Sequence, residues 1–145
     1  MSRKKMVYEG FGFPIVLVGF NTKKVRGEAI PDINFKELQG KVFEALTIKP
    51  GRLTGSELLF VRSYLELTQA QFARKAGLAN HSRVSQWEKK AGKATGMEYL
   101  TELSVRLLMA SEIREGLVAK VYKELSEHRI RSEASPVEVQ PGNAA

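Results

Sequence analysis

Residues 68–90, TQAQFARKAGLANHSRVSQWEKK, decide the fold because they carry the start and stop signals of two short helices. Thr68 is followed three residues later by Gln71, which predicts a capping box at the start of the first helix. Gly77 is placed to adopt the left-handed conformation that ends this helix. Asn80 is placed to cap the second helix. The stretch therefore predicts two helices joined by a tight turn.

The second helix is predicted to have two different faces. Val84 and Trp87 lie three residues apart, so both are expected to point into the protein. The opposite face is polar and cationic, and it consists of His81, Ser82, Arg83, Ser85, Gln86, Lys89 and Lys90. A short helix with an apolar anchor and such an outer face suits the major groove of DNA.

Composition and charge favour an anionic partner. The 145 residues carry a net charge of +7 with a pI near 9.7, which indicates nucleic acid ahead of a membrane surface. Residues 80–93 hold four bases against one acid, and the first 28 residues hold a second basic cluster. The absence of Cys removes disulfides and thiolate metal sites. No signal peptide or membrane-length apolar run is evident, so we expect a cytoplasmic protein without a membrane partner.

Residues 1–49 are predicted to form a small α+β domain, a β-hairpin plus a helix. Residues 15–18 are apolar and mostly β-branched, and Val25 is placed in a second strand. Asn34 with Glu37 marks a helix start, and the apolar stripe that follows is Phe35, Leu38, Val42, Phe43 and Leu46. The Pro50-Gly51 pair predicts a domain boundary.

Residues 50–110 are predicted to form a helical bundle. Two further capping boxes, Thr54 with Glu57 and Thr95 with Glu98, are expected to start helices over residues 55–66 and 96–109. Their predicted apolar stripes are Leu58, Val61 and Leu65 in the first helix, and Leu100, Leu103, Leu107 and Leu108 in the second.

The remaining residues are predicted to form one more helix and a tail. Residues 111–131 have apolar residues nearly every four positions, so they form a helix that either packs on the bundle or makes a dimer seam. Residues 132–145 contain two prolines and terminal alanines, and they are predicted to be a disordered tail. The predicted fold class is therefore mainly α, a helical bundle preceded by a small α+β domain.

Residues 53–108 resemble the helix-turn-helix domain of the Xre/Cro family of bacterial and phage regulators, which has a lambda-repressor-like fold. The resemblance rests on TQAQFA at residues 68–73, the Gly77-Leu78 turn, and SRVSQWE at residues 82–88. One departure is visible, since residues 78–81 make the turn about one residue longer than is common in the family. The sequence therefore places the base-contacting positions only to within about one residue.

The resemblance and the chemistry of the side chains together predict roles for individual residues. The resemblance implies that Gln69 contacts a phosphate and buttresses the recognition helix, whereas the residues alone equally allow a simple helix-start role. Asn80 is expected to cap the recognition helix and to offer its amide to a phosphate. The remaining assignments are His81, Ser82 and Gln86 as base-reading positions, Arg83 and Ser85 as base or phosphate contacts, and Lys89, Lys90 and Lys93 as phosphate contacts.

The N-terminal part resembles MqsA-type (YgiT-like) antitoxins, which join a small β-rich domain to an Xre-type helix-turn-helix. The resemblance rests on YEG at residues 8–10, IVL at residues 15–17, KVRGE at residues 24–28 and RLTGSEL at residues 52–58. That family binds zinc through two Cys-x-x-Cys pairs. Here Lys24 and Gly27 stand where one pair would be, so neither zinc nor any other cofactor is expected.

These observations predict a DNA-binding transcriptional repressor. We expect a homodimer that binds a palindromic double-stranded DNA operator, regulates its own promoter and forms the antitoxin-like component of a toxin-antitoxin operon. The alternative is a protein-interaction antitoxin whose residues 1–49 neutralise a partner toxin, with DNA binding secondary or lost. No nucleophile, phosphate-binding loop or metal constellation is evident, so we do not expect an enzyme.

Overall fold

The computed structural model of the protein describes residues 4–128 and 135–141. The described chain contains six helices and two small sheets, so the fold is mixed α/β with an α+β N-terminal region followed by helices. The described residues divide into two compact units: residues 4–45 and 136–141 belong to unit 1, and residues 46–128 and 135 belong to unit 2.

Unit 1 is built on a three-stranded sheet. Strand β1 (Lys5–Tyr8) pairs antiparallel with β2 (Ile15–Val18), and β2 pairs parallel with the short strand β5 (Glu138–Val139). The two inward side chains of β2, Ile15 and Leu17, are completely buried. The predicted strand at residues 15–18 is confirmed, and it is the central strand of its sheet.

A separate hairpin follows in the same unit. Strand β3 (Thr22–Val25) pairs antiparallel with β4 (Glu28–Pro31). The connecting residues, Arg26 and Gly27, both have positive φ, which is the conformation of a two-residue type I′ turn. Val25 therefore does lie in a strand as expected, but its partner is β4, and the unit contains two hairpins in place of the single predicted one.

Helix α1 (Phe35–Thr47) begins as predicted at Asn34, whose side-chain oxygen accepts a hydrogen bond from the Glu37 N–H at 3.1 Å. Leu38, Val42 and Phe43 are buried, as the apolar stripe predicted. Phe35 differs, because it is 48% exposed and its ring stacks on Phe11 with 5.0 Å between ring centroids.

The prediction of a disordered tail is wrong for residues 135–141. This segment contains β5 and buries Val137 and Val139. Its pairing partner β2 lies more than 100 residues earlier in the chain, so no local sequence pattern could predict the strand. The rest of the predicted tail, residues 132–134 and 142–145, lies outside the described residues.

Unit 2 contains helices α2 (Gly55–Tyr64), α3 (Gln69–Lys75), α4 (Ser82–Glu88), α5 (Tyr99–Ile113) and α6 (Glu115–His128). The capping boxes predicted at Thr54 and Thr68 are both present with their two reciprocal hydrogen bonds. Their side chains satisfy amides that would otherwise lack a partner at the helix start.

The third predicted capping box, at Thr95, is wrong. The Thr95 hydroxyl oxygen accepts a hydrogen bond from the Met97 N–H, and Gly96 has a φ of +82°, so a local turn uses the threonine. Helix α5 starts at Tyr99, after Glu98 in an extended conformation. The helix therefore starts three residues later than predicted, and it continues to Ile113.

The inner face of α5 also differs from the predicted leucine stripe. Leu103 is buried as expected, but Leu100 is 73% exposed and Leu107 and Leu108 are only partly buried. The buried positions along the helix are Glu102, Leu103, Val105, Arg106, Met109 and Ala110. Two charged residues thus occupy the interior side of the helix.

Arg106 and Glu102 form the centre of a buried polar cluster. The Arg106 guanidinium donates hydrogen bonds to the Glu102 carboxylate and to the main-chain oxygens of Lys49 and Gly51, each at 2.7 Å. The Glu102 carboxylate also accepts a hydrogen bond from the Leu53 N–H. Because both side chains are fully buried, these bonds offset the cost of removing two charges from water.

Lys49 extends this cluster to the start of α2. Its buried ammonium group lies 2.7 Å from a Glu57 carboxylate oxygen, and that oxygen also accepts the capping hydrogen bond from the Thr54 N–H. Burial lowers the pKa of Lys49 below its ordinary value, and the neighbouring Glu57 opposes this shift. The segment around Pro50-Gly51 is therefore fixed to unit 2, which begins at residue 46, rather than forming a loose linker.

Helix α6 packs on α5, which is one of the two arrangements that the sequence allowed. Val121 and Leu125 are buried against Leu103 and Ala110 of α5. The two helices are separated at Arg114, which has an extended backbone conformation with φ −170° and ψ 146°. Residues 129–131 of the predicted helix lie outside the described part of the chain.

Candidate nucleic-acid interface

The turn between α3 and α4 is formed by a glycine that ends α3. Gly77 has a φ of +76°, its N–H donates to the Arg74 carbonyl, and the Leu78 N–H donates to the Ala73 carbonyl at 2.8 Å. This pair of hydrogen bonds is a Schellman motif, in which a left-handed residue closes the helix. The predicted role of Gly77 is confirmed.

The start of α4 is held by Asn80. Its side-chain oxygen accepts hydrogen bonds from the Ser82 N–H, at 3.0 Å, and from the Ser82 hydroxyl. The residue that directly precedes the helix is His81, whose side chain makes no capping bond. Asn80 therefore supplies the helix-start hydrogen bond as predicted, but from one position further upstream.

The inner face of α4 is apolar and closely packed. Val84 is fully buried and Trp87 is 6% exposed, as the sequence predicted. The end of α4 also lies directly against the first residue of α2, because a Cβ atom on Gly55 would be 2.5 Å from the Trp87 carbonyl oxygen. Only glycine allows this backbone approach, so Gly55 determines how close the two helices lie.

Main-chain hydrogen bonds fix the segment after α4 to the same place. The Gly55 N–H donates to the Lys93 carbonyl and the Ser56 N–H donates to the Ala91 carbonyl. Thr54 and Ala94 form an isolated antiparallel bridge. These contacts, together with the close approach at Trp87, hold the C-terminal end of α4 and the residues after it against the start of α2.

An ion pair joins α4 to the end of α2. Two nitrogens of the Arg62 guanidinium donate to the two carboxylate oxygens of Glu88, at 2.7 and 3.0 Å. The same guanidinium donates to the Leu67 carbonyl at 3.0 Å. The hydrogen bond from Arg62 to Glu88 raises the pKa of Arg62 above its ordinary value. The bidentate geometry fixes direction as well as distance between the two helices.

Gln69 at the start of α3 completes this contact. Its side-chain amide donates to a Glu88 carboxylate oxygen at 3.0 Å. Glu88 therefore accepts hydrogen bonds from α2 and α3 while belonging to α4. This network positions α4 relative to the two preceding helices.

The outer face of α4 is polar and positively charged. Among the residues described, the exposed side chains on this face and in the loop after it are His81, Ser82, Arg83, Gln86, Lys89, Lys90 and Lys93, with Ser85 partly buried. The acidic residue of this helix, Glu88, forms an ion pair with Arg62. The Arg83 guanidinium lies over the Trp87 ring at 5.9 Å from its centroid, an arrangement that holds an arginine in place without neutralising it.

Most of the residues predicted as a binding site are exposed along α4 and next to its two ends. Asn80 and the residues of α4 lie at or on this outer face, whereas Gln69 points to Glu88. Two positioning residues, Gly55 and Arg62, were not predicted. Gly55 offered a signal, since a glycine in the first turn of a capped helix is unfavourable unless another backbone approaches it closely.

The donor set does not fit a zinc ion of the MqsA type. The chain contains no Cys, and Lys24 and Gly27 lie in the β3–β4 hairpin without a thiolate. Within residues 4–128 and 135–141, no group of three His, Asp or Glu side chains is placed to hold a metal ion. None of the helices in these ranges is long and apolar enough to cross a membrane.

We compared the chain with protein-family models, with curated proteins and with solved structures, and none of these comparisons found a match.

Proposed function

We propose that the protein is a sequence-specific DNA-binding transcriptional repressor, and that α3 and α4 act as its helix-turn-helix. The observation that carries this proposal is the division of α4 into two faces. Val84 and Trp87 anchor one face in unit 2. The other face is cationic, because the one acidic residue of the helix, Glu88, is neutralised by its ion pair with Arg62. A rigidly held helix with exposed hydrogen-bonding and basic side chains has the chemistry that major-groove recognition requires.

Different side chains of α4 and the loop after it contact bases and phosphates in this proposal. Gln86 is exposed in the middle of α4, and a glutamine amide can make two hydrogen bonds to the major-groove edge of an adenine, at N6 and N7. Lys89 and Lys90 lie where the helix ends and Lys93 lies in the following loop, so they suit phosphate oxygens beside the groove. His81, Ser82 and Arg83 occupy the first turn and its approach, which in a groove-bound helix lie closest to the bases.

A homodimer on a palindromic operator is part of the proposal. A seven-residue helix reads only a few base pairs, so two half-sites are needed for useful specificity. Repression follows if the occupied operator overlaps a promoter and excludes RNA polymerase. We propose that this promoter belongs to the protein's own operon and that the complex acts in the cytoplasm, without any catalytic step.

The test is selection of bound duplexes from random sequence at physiological salt. We expect a palindromic consensus whose half-site spacing corresponds to about one helical turn or a multiple of it. If the protein retains bulk DNA through its positive charge alone but enriches no sequence over the starting library, sequence-specific binding is rejected.

A second candidate function rests on unit 1. Among the residues that the structure describes, strand β1 is an edge of the three-stranded sheet, and Val7 on this strand is 60% exposed. An open sheet edge can accept a strand from another protein. This observation favours an antitoxin-like role in which unit 1 binds a partner toxin. Co-purification with the product of an adjacent small reading frame, lost in Val7→Lys, would support it.

A further inference from the structure

The β3–β4 hairpin is largely exposed to solvent. All four residues of β3 are exposed, and Val25 at its end is 44% exposed. In β4, Ile30 and Pro31 are partly buried while Glu28 and Ala29 are exposed. A two-stranded hairpin without a buried face contributes little to a hydrophobic core, so its stability comes mainly from the type I′ turn and the ladder.

The exposed surface of this hairpin is basic. Lys23, Lys24 and Arg26 follow one another along β3 and the turn, with Glu28 as the only acid of residues 22–31. Lys23 lies 3.6 Å from Asp32, at the base of the hairpin, in a largely exposed ion pair. Among the described residues, Lys24 and Arg26 have no acidic partner, so the tip presents two unpaired cations.

We propose that the β3–β4 hairpin is a second DNA-binding element that contacts phosphates through Lys24 and Arg26. This inference rests on the proposed DNA-binding function of α4 and extends it to unit 1. A two-stranded β-ribbon is one of the few protein elements narrow enough to enter a DNA groove or lie along it. The cations at its tip supply the charge that phosphate contacts need.

An acidic protein partner fits this hairpin less well. Protein interfaces depend on a few anchoring side chains, usually aromatic, that fill pockets in the partner. The hairpin has no aromatic residue, and Val25 is the single exposed large hydrophobic residue in β3 and β4. Binding through charge without an apolar anchor is characteristic of contacts to the nucleic-acid backbone.

The test compares salt dependence in the full chain. The double variant Lys24→Gln/Arg26→Asn removes both charges, and Asn tolerates the left-handed conformation of residue 26. On the selected operator, the slope of log K against log salt should become shallower by about 1.8 per bound protomer, since each phosphate contact contributes about 0.9. A hydroxyl-radical footprint should lose one protected backbone stretch in each half-site and keep the others.

The matched control is Lys36→Gln/Lys120→Gln, which removes two exposed lysines from α1 and α6. Its slope and footprint should equal those of the wild type. If the two double variants change the slope equally, net charge explains the effect and the hairpin proposal is overturned. If the hairpin variant binds like the wild type, the hairpin proposal fails while α4 binding stands. If the wild-type chain binds no preferred sequence, the proposed function itself fails.

Discussion

Replacement of Gly55 by alanine should displace α4. A Cβ atom at this position would lie 2.5 Å from the Trp87 carbonyl oxygen and 2.7 Å from both the Glu88 carbonyl oxygen and the Ala91 nitrogen. All three are main-chain atoms, so no side-chain rotation relieves the clash. Restoring ordinary van der Waals contact requires the end of α4 to move by roughly 1 Å, since carbon atoms sit about 3.5 Å from their neighbours at optimal separation.

The cost can be set against the gain from replacing a glycine. Overpacking of this kind costs about 1–3 kcal/mol of unfolding free energy. Alanine returns at most about 1 kcal/mol through its better helix propensity, and less in the first helical turn. We therefore expect Gly55→Ala to lower the free energy of unfolding by about 1–2 kcal/mol. Affinity for the operator should fall as well, because the side chains that are proposed to read bases move with the helix.

The assay uses the single tryptophan of the chain. Trp87 is buried on the inner face of α4, so its emission reports directly on the packing of this helix. Urea unfolding followed by fluorescence and by circular dichroism gives the stability, and the native emission maximum should shift to the red in Gly55→Ala. Gly116→Ala is the matched control, since nothing lies within 4 Å of its Cβ and alanine should stabilise α6. The reasoning is refuted if Gly55→Ala is as stable as Gly116→Ala and keeps the wild-type emission.

Three further substitutions test other parts of unit 2. Arg106→Met should lower the free energy of unfolding by about 3–5 kcal/mol in urea titration, because the buried Glu102 carboxylate loses its 2.7 Å cationic partner and keeps only the Leu53 N–H and Arg52 at 3.6 Å; equal stability would contradict this role. Glu88→Gln should lower the free energy of unfolding by about 1–3 kcal/mol and weaken operator binding in an anisotropy titration, because the ion pair with Arg62 positions α4. The substitution also removes a negative charge, so tighter binding would show that charge outweighs position. Glu66→Gly should raise the thermal midpoint by an amount equivalent to about 1 kcal/mol, because residue 66 ends α2 with a φ of +56°; an unchanged midpoint would mean that the left-handed conformation carries no strain.

Local signals in the sequence predicted the local structure of unit 2 well. Capping at Thr54 and Thr68, the left-handed Gly77 and the buried Val84 and Trp87 are all present. Each depends on residues within about four positions of one another, so the pattern and the structure are directly linked. The same patterns identified the exposed residues of α4.

Features that depend on distant contacts were missed. Thr95 and Glu98 have the spacing of a capping box, but Gly96 redirects the chain and Thr95 bonds to Met97. Glu102 and Arg106 have the spacing of a surface ion pair, yet both are buried, since their additional partners come from the segment around Gly51. Spacing within one helix cannot distinguish these cases, because the deciding partner is elsewhere in the chain.

Interhelical positioning was also hidden from the sequence. Glu88 looked like a partial cancellation of the positive charge on α4, whereas its carboxylate is bound by Arg62 and Gln69. Those donors lie 26 and 19 residues earlier in the chain. The outer face of α4 is therefore more positive than the sum over residues 80–93 suggested.

The most direct test of the proposed role of α4 is to repeat the selection from random duplexes with Gln86→Ala and Lys89→Ala beside the wild type. We expect Gln86→Ala to lose preference at one symmetric pair of base positions and to keep the rest of the consensus. Lys89→Ala should keep the whole consensus while binding every sequence more weakly and with a shallower salt dependence. An unchanged consensus and affinity in both variants would contradict the claim that the outer face of α4 reads DNA.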